Sequence, residues 1–128
     1  MQVSPGGVYD LGLHVVWCPK YRRPVLTGPV AERCDQLIRA KAAEHEWTIV
    51  ACEVMPDLVH LFVKTHPTDS PAHVAHQFKG HTSRVLRREF PWLRSRLPTL
   101  WTNSYFVATV GGAPLEVVKR YVENQKNV

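Results

Sequence analysis

The sequence has little of what would take it out of the ordinary globular class. It holds only three cysteines, Cys18, Cys34 and Cys52. They are odd in number, widely spaced and set in apolar surroundings, so buried thiols in a reducing compartment are predicted, and neither a disulfide framework nor a zinc knuckle is expected. No apolar run approaches the roughly 18 residues that span a bilayer, and no basic-then-apolar leader is visible. Neither membrane insertion nor secretion is therefore expected, and the cytoplasm is the expected location. Low-complexity tracts and internal repeats are also missing.

What remains is a chain of 128 residues with 45% hydrophobic and 21% charged side chains. That is enough to bury a core without staples, and it predicts one domain over residues 1–128. Sixteen Lys and Arg against eleven Asp and Glu leave a net charge of +5. A polyanionic partner is electrostatically welcome. The basic residues gather at Lys20, Arg22 and Arg23 and again from Lys79 to Arg96.

The pattern along the chain predicts a strand over Tyr9 to Cys18, stopped by Pro19, and a basic loop from Lys20 to Pro24. Val30, Cys34, Leu37, Ile38 and Ala42 recur at helical spacing within Pro29 to Glu46. Trp47 to Val54 and Leu58 to Lys64 read as antiparallel neighbours joined through Met55, Pro56 and Asp57. Asp69 or Ser70 caps a second, basic helix that takes Pro71 in its first turn and ends before Pro91. Leu93 to Asn103 reads as a loop, Ser104 to Val110 as a fourth strand ended by Gly111 and Gly112, and Pro114 to about Lys126 as a last helix. This order is the α+β, ferredoxin-like or RRM-like split βαβ arrangement, an antiparallel sheet with helices on one face plus a C-terminal helix.

In the strand Leu58 to Lys64, residues two apart share a face. Val59, Leu61 and Val63 therefore look like core, and Leu58, His60 and Phe62 face the other way. In the last helix Tyr121 and Gln125, four apart, share one side with Val117. Spacing alone favours a satisfied histidine, a packed tyrosine ring and a solvated glutamine. A phenol, with its ordinary pKa of about 10, attacks a phosphodiester only with help from a metal or a base. Lys79, Arg84, Arg87 and Arg88 cover a broad exposed arc of the second helix. Trp92, Trp101 and Tyr105 are candidates for stacking unpaired bases.

Several segments together resemble the single-tyrosine HUH transposases of small bacterial insertion sequences, the IS200-like family. HVVWCPKYRRPVL at His14 to Leu26 is similar to its first strand and basic loop. VMPDLVHLFV at Val54 to Val63 is similar to the strand bearing its His-hydrophobic-His motif, and FKGHTSRVLRREFP at Phe78 to Pro91 to its basic helix. LWTNSYFVATVGG at Leu100 to Gly112 and VKRYVENQ at Val118 to Gln125 resemble the closing strand and the tyrosine helix. The likeness runs from about Tyr9 to Gln125.

The resemblance implies an enzyme that binds hairpin ends as single-stranded DNA and cuts and rejoins strands through a 5′-phosphotyrosine link. By position, Tyr121 is the nucleophile, and His60 and Gln125 are ligands of magnesium or manganese. Lys20, Arg22, Arg23, Lys79, Arg84, Arg87 and Arg88 are then the expected DNA contacts, and a homodimer is expected. Leu58 departs from the pattern, standing where the family has its first histidine and offering no lone pair. His14 and Asp57 are polar residues that could lie near the site, but both have counterparts in ordinary members, so neither is an obvious replacement. A relative that binds hairpin DNA and cleaves poorly is the alternative. An RNA-binding module on the same sheet is a third, and it lacks the aromatic-rich central strand, Val59 to Lys64 offering only Phe62.

Overall fold

Alternation in the run Leu58–Lys64 has the predicted outcome: Val59, Leu61 and Val63 are fully buried, while Leu58, His60 and Phe62 between them are half-exposed. The computed structural model describes residues 2–4, 7–9, 12–109 and 120–128. A short hairpin, β1 (Gln2–Ser4) with β2 (Gly7–Tyr9), precedes the main sheet. Of the strand predicted over Tyr9 to Cys18, Tyr9 belongs to β2 and Gly12–Trp17 forms β3.

Four strands make the main sheet. These are β3, β4 (Thr48–Met55), β5 (Leu58–Lys64) and β6 (Phe106–Thr109), in the order β4-β5-β3-β6 with every pair antiparallel. Met55 pairs with Leu58, so Pro56 and Asp57 alone form the turn. Placing the third sheet strand between the first two needs a crossover helix on each side of the β4–β5 hairpin, and the sequence supplies them. The split βαβ expectation is met, with α1 (Gly28–Glu44) and α2 (Pro71–Glu89) as those helices.

Helix α1 starts where Gly28, at φ +52, and Pro29 break the extended chain. It ends two residues sooner than the periodicity suggested, because Glu46 takes a left-handed φ of +58. Helix α2 is capped by Ser70, whose hydroxyl accepts from the His73 N–H at 3.1 Å. Asp69 instead takes the Trp47 indole N–H at 2.7 Å.

Both helices cover one face of the sheet. Val30, Cys34, Leu37, Ile38 and Ala42 of α1 and Val74, Ala75, Phe78, Val85 and Leu86 of α2 join Leu13, Val15, Trp17, Val59, Leu61 and Val63 in one core. Trp17 lies nearly parallel to Phe78, ring centroids 6.3 Å apart, and meets Trp101 edge-on at 5.9 Å.

The segment read as a loop from Leu93 holds a five-residue helix, α3 (Trp92–Arg96), anchored by buried Leu93 and Leu97. It is too short to show a period. Residues 120–123 are helical and run into a 3-10 turn, Asn124–Asn127. The earlier part of the helix predicted from Pro114, residues 114–119, lies outside the described residues, as do Val110, Gly111 and Gly112.

Cys18 and Cys34 are buried thiols as expected, and Cys52 is half-buried. Burial pushes Cys18 up to about 11 and Cys52 up to about 12, so these thiols are inert at neutral pH. Among the described residues no helix is long and apolar enough to cross a membrane.

Candidate active site and nucleic-acid interface

The face of the sheet opposite the helices carries the polar residues. Register places them in two cross-strand rows. Glu53, His60, Val16 and Phe106 stand side by side across β4, β5, β3 and β6, and Ala51, Phe62, His14 and Ala108 form the next row. His14 and His60 are diagonal neighbours, and their side chains meet: His14 Nδ1 lies 3.1 Å from His60 Nε2. His60 Nδ1 turns the other way, toward Glu53 Oε1 at 3.5 Å. Phe62 stacks on the His14 ring at 4.6 Å. Burial, and secondarily the neighbouring His60, holds the His14 pKa below the ordinary histidine value.

Tyr121 reaches this face from the C-terminal segment, its ring 5.8 Å from that of Phe106. Its hydroxyl lies 3.2 Å from Ser104 Oγ. Ser104 Oγ donates to Gln125 Oε1 at 3.0 Å, and Gln125 Nε2 donates to the Tyr121 carbonyl at 2.9 Å. Ser104 has one hydroxyl proton, and with that proton committed to Gln125 the phenol is the donor in the Tyr121–Ser104 bond. Burial raises the Tyr121 pKa, and the Ser104 hydrogen bond partly offsets the rise. The phenol is therefore protonated at rest.

The C-terminal segment is held in place by the turn after β3. The Tyr21 N–H donates to the Val128 carbonyl at 2.8 Å, and Arg22 reaches both the Val122 carbonyl at 3.5 Å and Glu123 at 3.8 Å. Tyr21 and Arg22 take left-handed φ values of 58 and 52 to make that turn. A cleft of about 320 Å³ opens beside it, lined in part by Lys20, Asn103, Ser104 and Gln125.

The sequence expectations divide here. Tyr121 and Gln125 meet through Ser104, and His60 meets His14 instead of joining them. Phe106 and His60 flank Val16 in the same row, so two strand spacings, about 10 Å, separate the histidine strand from the strand against which Tyr121 packs. The ligand set implied by the resemblance does not fit as it stands. Leu58 has no lone pair, Gln125 has its amide in two hydrogen bonds, and among the described residues no three His, Cys, Asp or Glu side chains gather as metal ligands.

The expected DNA cations also divide. Arg23, Arg84 and Arg88 are exposed, and Lys20 and Arg87 are half-buried. Arg84, Arg87 and Arg88 line a shallow cleft of about 480 Å³ together with Gly80, Ser83 and Arg94, a cation the sequence reading did not single out. Arg22 is tied to Asp57 at 2.8 Å. Lys79 corrects the idea of an exposed arc that includes it: it is buried, and its amine donates to the Thr102 and Ser104 carbonyls at 2.8 and 2.9 Å. It shares a helix face with buried Ala75 and Thr82, four residues before and three after it, which turns it inward, where desolvation lowers its pKa from 10.5 to about 8. Trp101 is likewise core, its indole N–H bonded to Thr82 Oγ1 at 3.0 Å. Trp92 is exposed under the Arg96 guanidinium, and Tyr105 is half-buried against His76.

Ser104 was missed as a functional residue because a single serine, which the structure places ahead of β6, carries no periodic signal. Glu53 was missed for a different reason. Its partnership with His60 is set by the β4–β5 register, and a shift between Ile49 and Ala51 moves that register by one residue.

The family model described as "Transposase IS200 like" matches residues 7–125. The ISDra2 transposase TnpA of Deinococcus radiodurans is 34% identical over 127 residues, covering 98% of this chain and 91% of that protein. The transposase for insertion sequence element IS200 of Salmonella typhimurium is 25% identical over 114 residues, covering 88% of this chain and 74% of its own. A Deinococcus radiodurans crystal structure assigned as a transposase superposes with a TM-score of 0.89 at 32% identity, covering both chains fully. The REP-associated tyrosine transposase bound to a REP hairpin shares the fold, with a TM-score of 0.58 at 11% identity over 98% of this chain and 70% of that one.

Proposed function

This chain belongs to the IS200-like transposase family, and from that premise we propose that it cuts and rejoins single-stranded DNA at hairpin ends with Tyr121 as nucleophile. The observation that carries the reading is the Tyr121–Ser104–Gln125 chain of hydrogen bonds beside the histidine-bearing face of the sheet. Ser104 fixes the direction of the phenol, and Gln125 fixes Ser104.

In the reaction the Tyr121 oxygen attacks phosphorus, the bond from phosphorus to the 3′-oxygen breaks, and that oxygen leaves as a 3′-hydroxyl after taking up a proton. The 5′-phosphotyrosine link keeps the bond energy, so the reverse attack by a 3′-hydroxyl reseals a strand without ATP. A divalent ion, magnesium or manganese, would supply charge neutralisation on the phosphate oxygens. Because the raised pKa keeps the phenol protonated, the nucleophile has to lose its proton during attack.

Arg84, Arg87 and Arg88, with Arg23 and Lys20, supply phosphate contacts that position the strand without reading its sequence. The hairpin-bound structural relative supports DNA of this shape as the ligand. A homodimer acting in the cytoplasm is part of the same reading.

The test is a labelled single-stranded hairpin end incubated with the protein and with Tyr121→Phe, with manganese or EDTA, and run on a denaturing gel. A protein-DNA band that needs Tyr121 is the expected result. A second reading, a hairpin binder that cleaves poorly, is favoured by Leu58. Retained binding with no covalent band would select it.

A further inference from the structure

We propose that His14 and His60 form a two-nitrogen site for a divalent cation, with His14 supplying the donor that Leu58 lacks and Glu53 orienting His60. The proposal rests on the transposase reading only for the use made of the ion. The site itself rests on side-chain placement.

His14 Nδ1 and His60 Nε2 are 3.1 Å apart. Two nitrogens at about 2.1 Å on adjacent corners of an octahedral ion lie about 3.0 Å apart. The nitrogen separation thus suits a shared cation without movement of either strand, once the rings rotate so that both lone pairs converge on it.

A carboxylate stands behind the outer nitrogen of His60, and ligation through His14 Nδ1 requires the His14 proton to move to Nε2. Glu53 Oε1 stands 3.5 Å from His60 Nδ1 and draws the proton to that nitrogen, which leaves a lone pair on Nε2, toward His14. A carboxylate behind a histidine is the usual partner of a ligating imidazole. Phe62, stacked on His14 at 4.6 Å and 21° between ring planes, restricts the second ring.

The placement also predicts where the ion sits. His14 pairs with Phe62, two residues beyond His60 along β5, whereas Leu58 is two residues before it. At about 3.3 Å per residue, each lies about 7 Å from His60 along the strand. The ion is therefore displaced toward Phe62, away from Leu58. Two protein nitrogens leave about four positions for water and phosphate oxygens, and the His60 side chain is 33% exposed, so a phosphate can approach.

The experiment is a manganese titration of the full chain, reading free manganese by electron paramagnetic resonance. One site per chain is expected, weakened more than about 10-fold by His14→Phe and unchanged by Leu58→Ala. Phenylalanine keeps the ring stacked on Phe62 and removes the lone pair, and circular dichroism checks the fold of the variant. Should that variant not fold, the ring signals of the unaltered protein decide. His14 and His60 should broaden first among the seven histidines.

Binding lost with His60→Phe but unaffected by His14→Phe, or broadening that spares His14, overturns the site. So does the absence of any manganese binding. The covalent-band assay run alongside separates the two ideas. A manganese-dependent band indifferent to His14→Phe rejects this site and keeps the transposase reading, whereas intact binding at His14 and His60 with no band keeps the site and rejects cleavage.

Discussion

On the helix-covered face of the sheet, Val15, Trp17, Val59, Leu61 and Val63 have no exposed surface at all. On the other face, His14, His60, Phe62 and Phe106 are half-exposed and Glu53 is exposed. The first face is organised by the removal of apolar area from water, which is non-directional. The second is organised by hydrogen bonds and ring contacts, which require particular atoms to meet. Loss of a side chain should therefore cost stability on one face and chemistry on the other.

The largest stability effect expected is for Phe78→Ala, which empties the space between Trp17 and Trp47. A loss of about 3–5 kcal/mol is predicted, measured by urea unfolding. A loss under 1 kcal/mol would break the contrast between the faces.

Lys79→Met comes next. It leaves the Thr102 and Ser104 carbonyls without their donor, at a cost of about 2 kcal/mol. Its pH dependence has a definite sign. The folded amine titrates at about 8 and the unfolded one at 10.5, so the unfolded chain binds more protons between those values. Stability of the unaltered protein should gain a contribution that rises with pH across that window, and the variant should lack it. Unfolding midpoints at pH 7.5 and 10 would reveal it.

His60→Gln, on the open face, should change stability by less than about 1 kcal/mol, as for other partly exposed sites, while reducing covalent-band formation strongly. Comparable losses of stability from His60→Gln and Phe78→Ala would mean the open face is structural. The smallest stability effect, near zero, is expected for Arg84→Ala combined with Arg88→Ala. There the readout is binding: the slope of log affinity against log salt for single-stranded DNA should fall by about 1.4, at about 0.7 per lost phosphate contact.

The same contrast explains what was legible in the sequence. Burial follows period, so the core faces of β5, α1 and α2 and the split βαβ order could be read from Val59, Leu61, Val63, Cys34 and Ile38. Lys79 shows the limit of that method. A charged residue is assigned to the surface by type, yet here a buried amine finds two carbonyls on a distant loop.

Tyr121, His60 and Gln125 were singled out through resemblance, since their spacing alone favours ordinary packing. Contacts such as His14 with His60 and Tyr121 with Ser104 were not readable, because they join residues 46 and 17 positions apart through strand register and the path of the C-terminal segment. Helix α3 and the β1–β2 hairpin escaped for a simpler reason, being too short to show a period.

The claim that Tyr121 is the attacking group is tested most directly by mapping the covalent attachment. The protein would be incubated with single-stranded hairpin DNA and manganese, digested with protease and nuclease, and its peptides weighed by mass spectrometry. The account predicts a nucleotide 5′-phosphate on the peptide containing Tyr121. Attachment at another tyrosine, such as Tyr105, or DNA cleaved with no peptide modified, would contradict it.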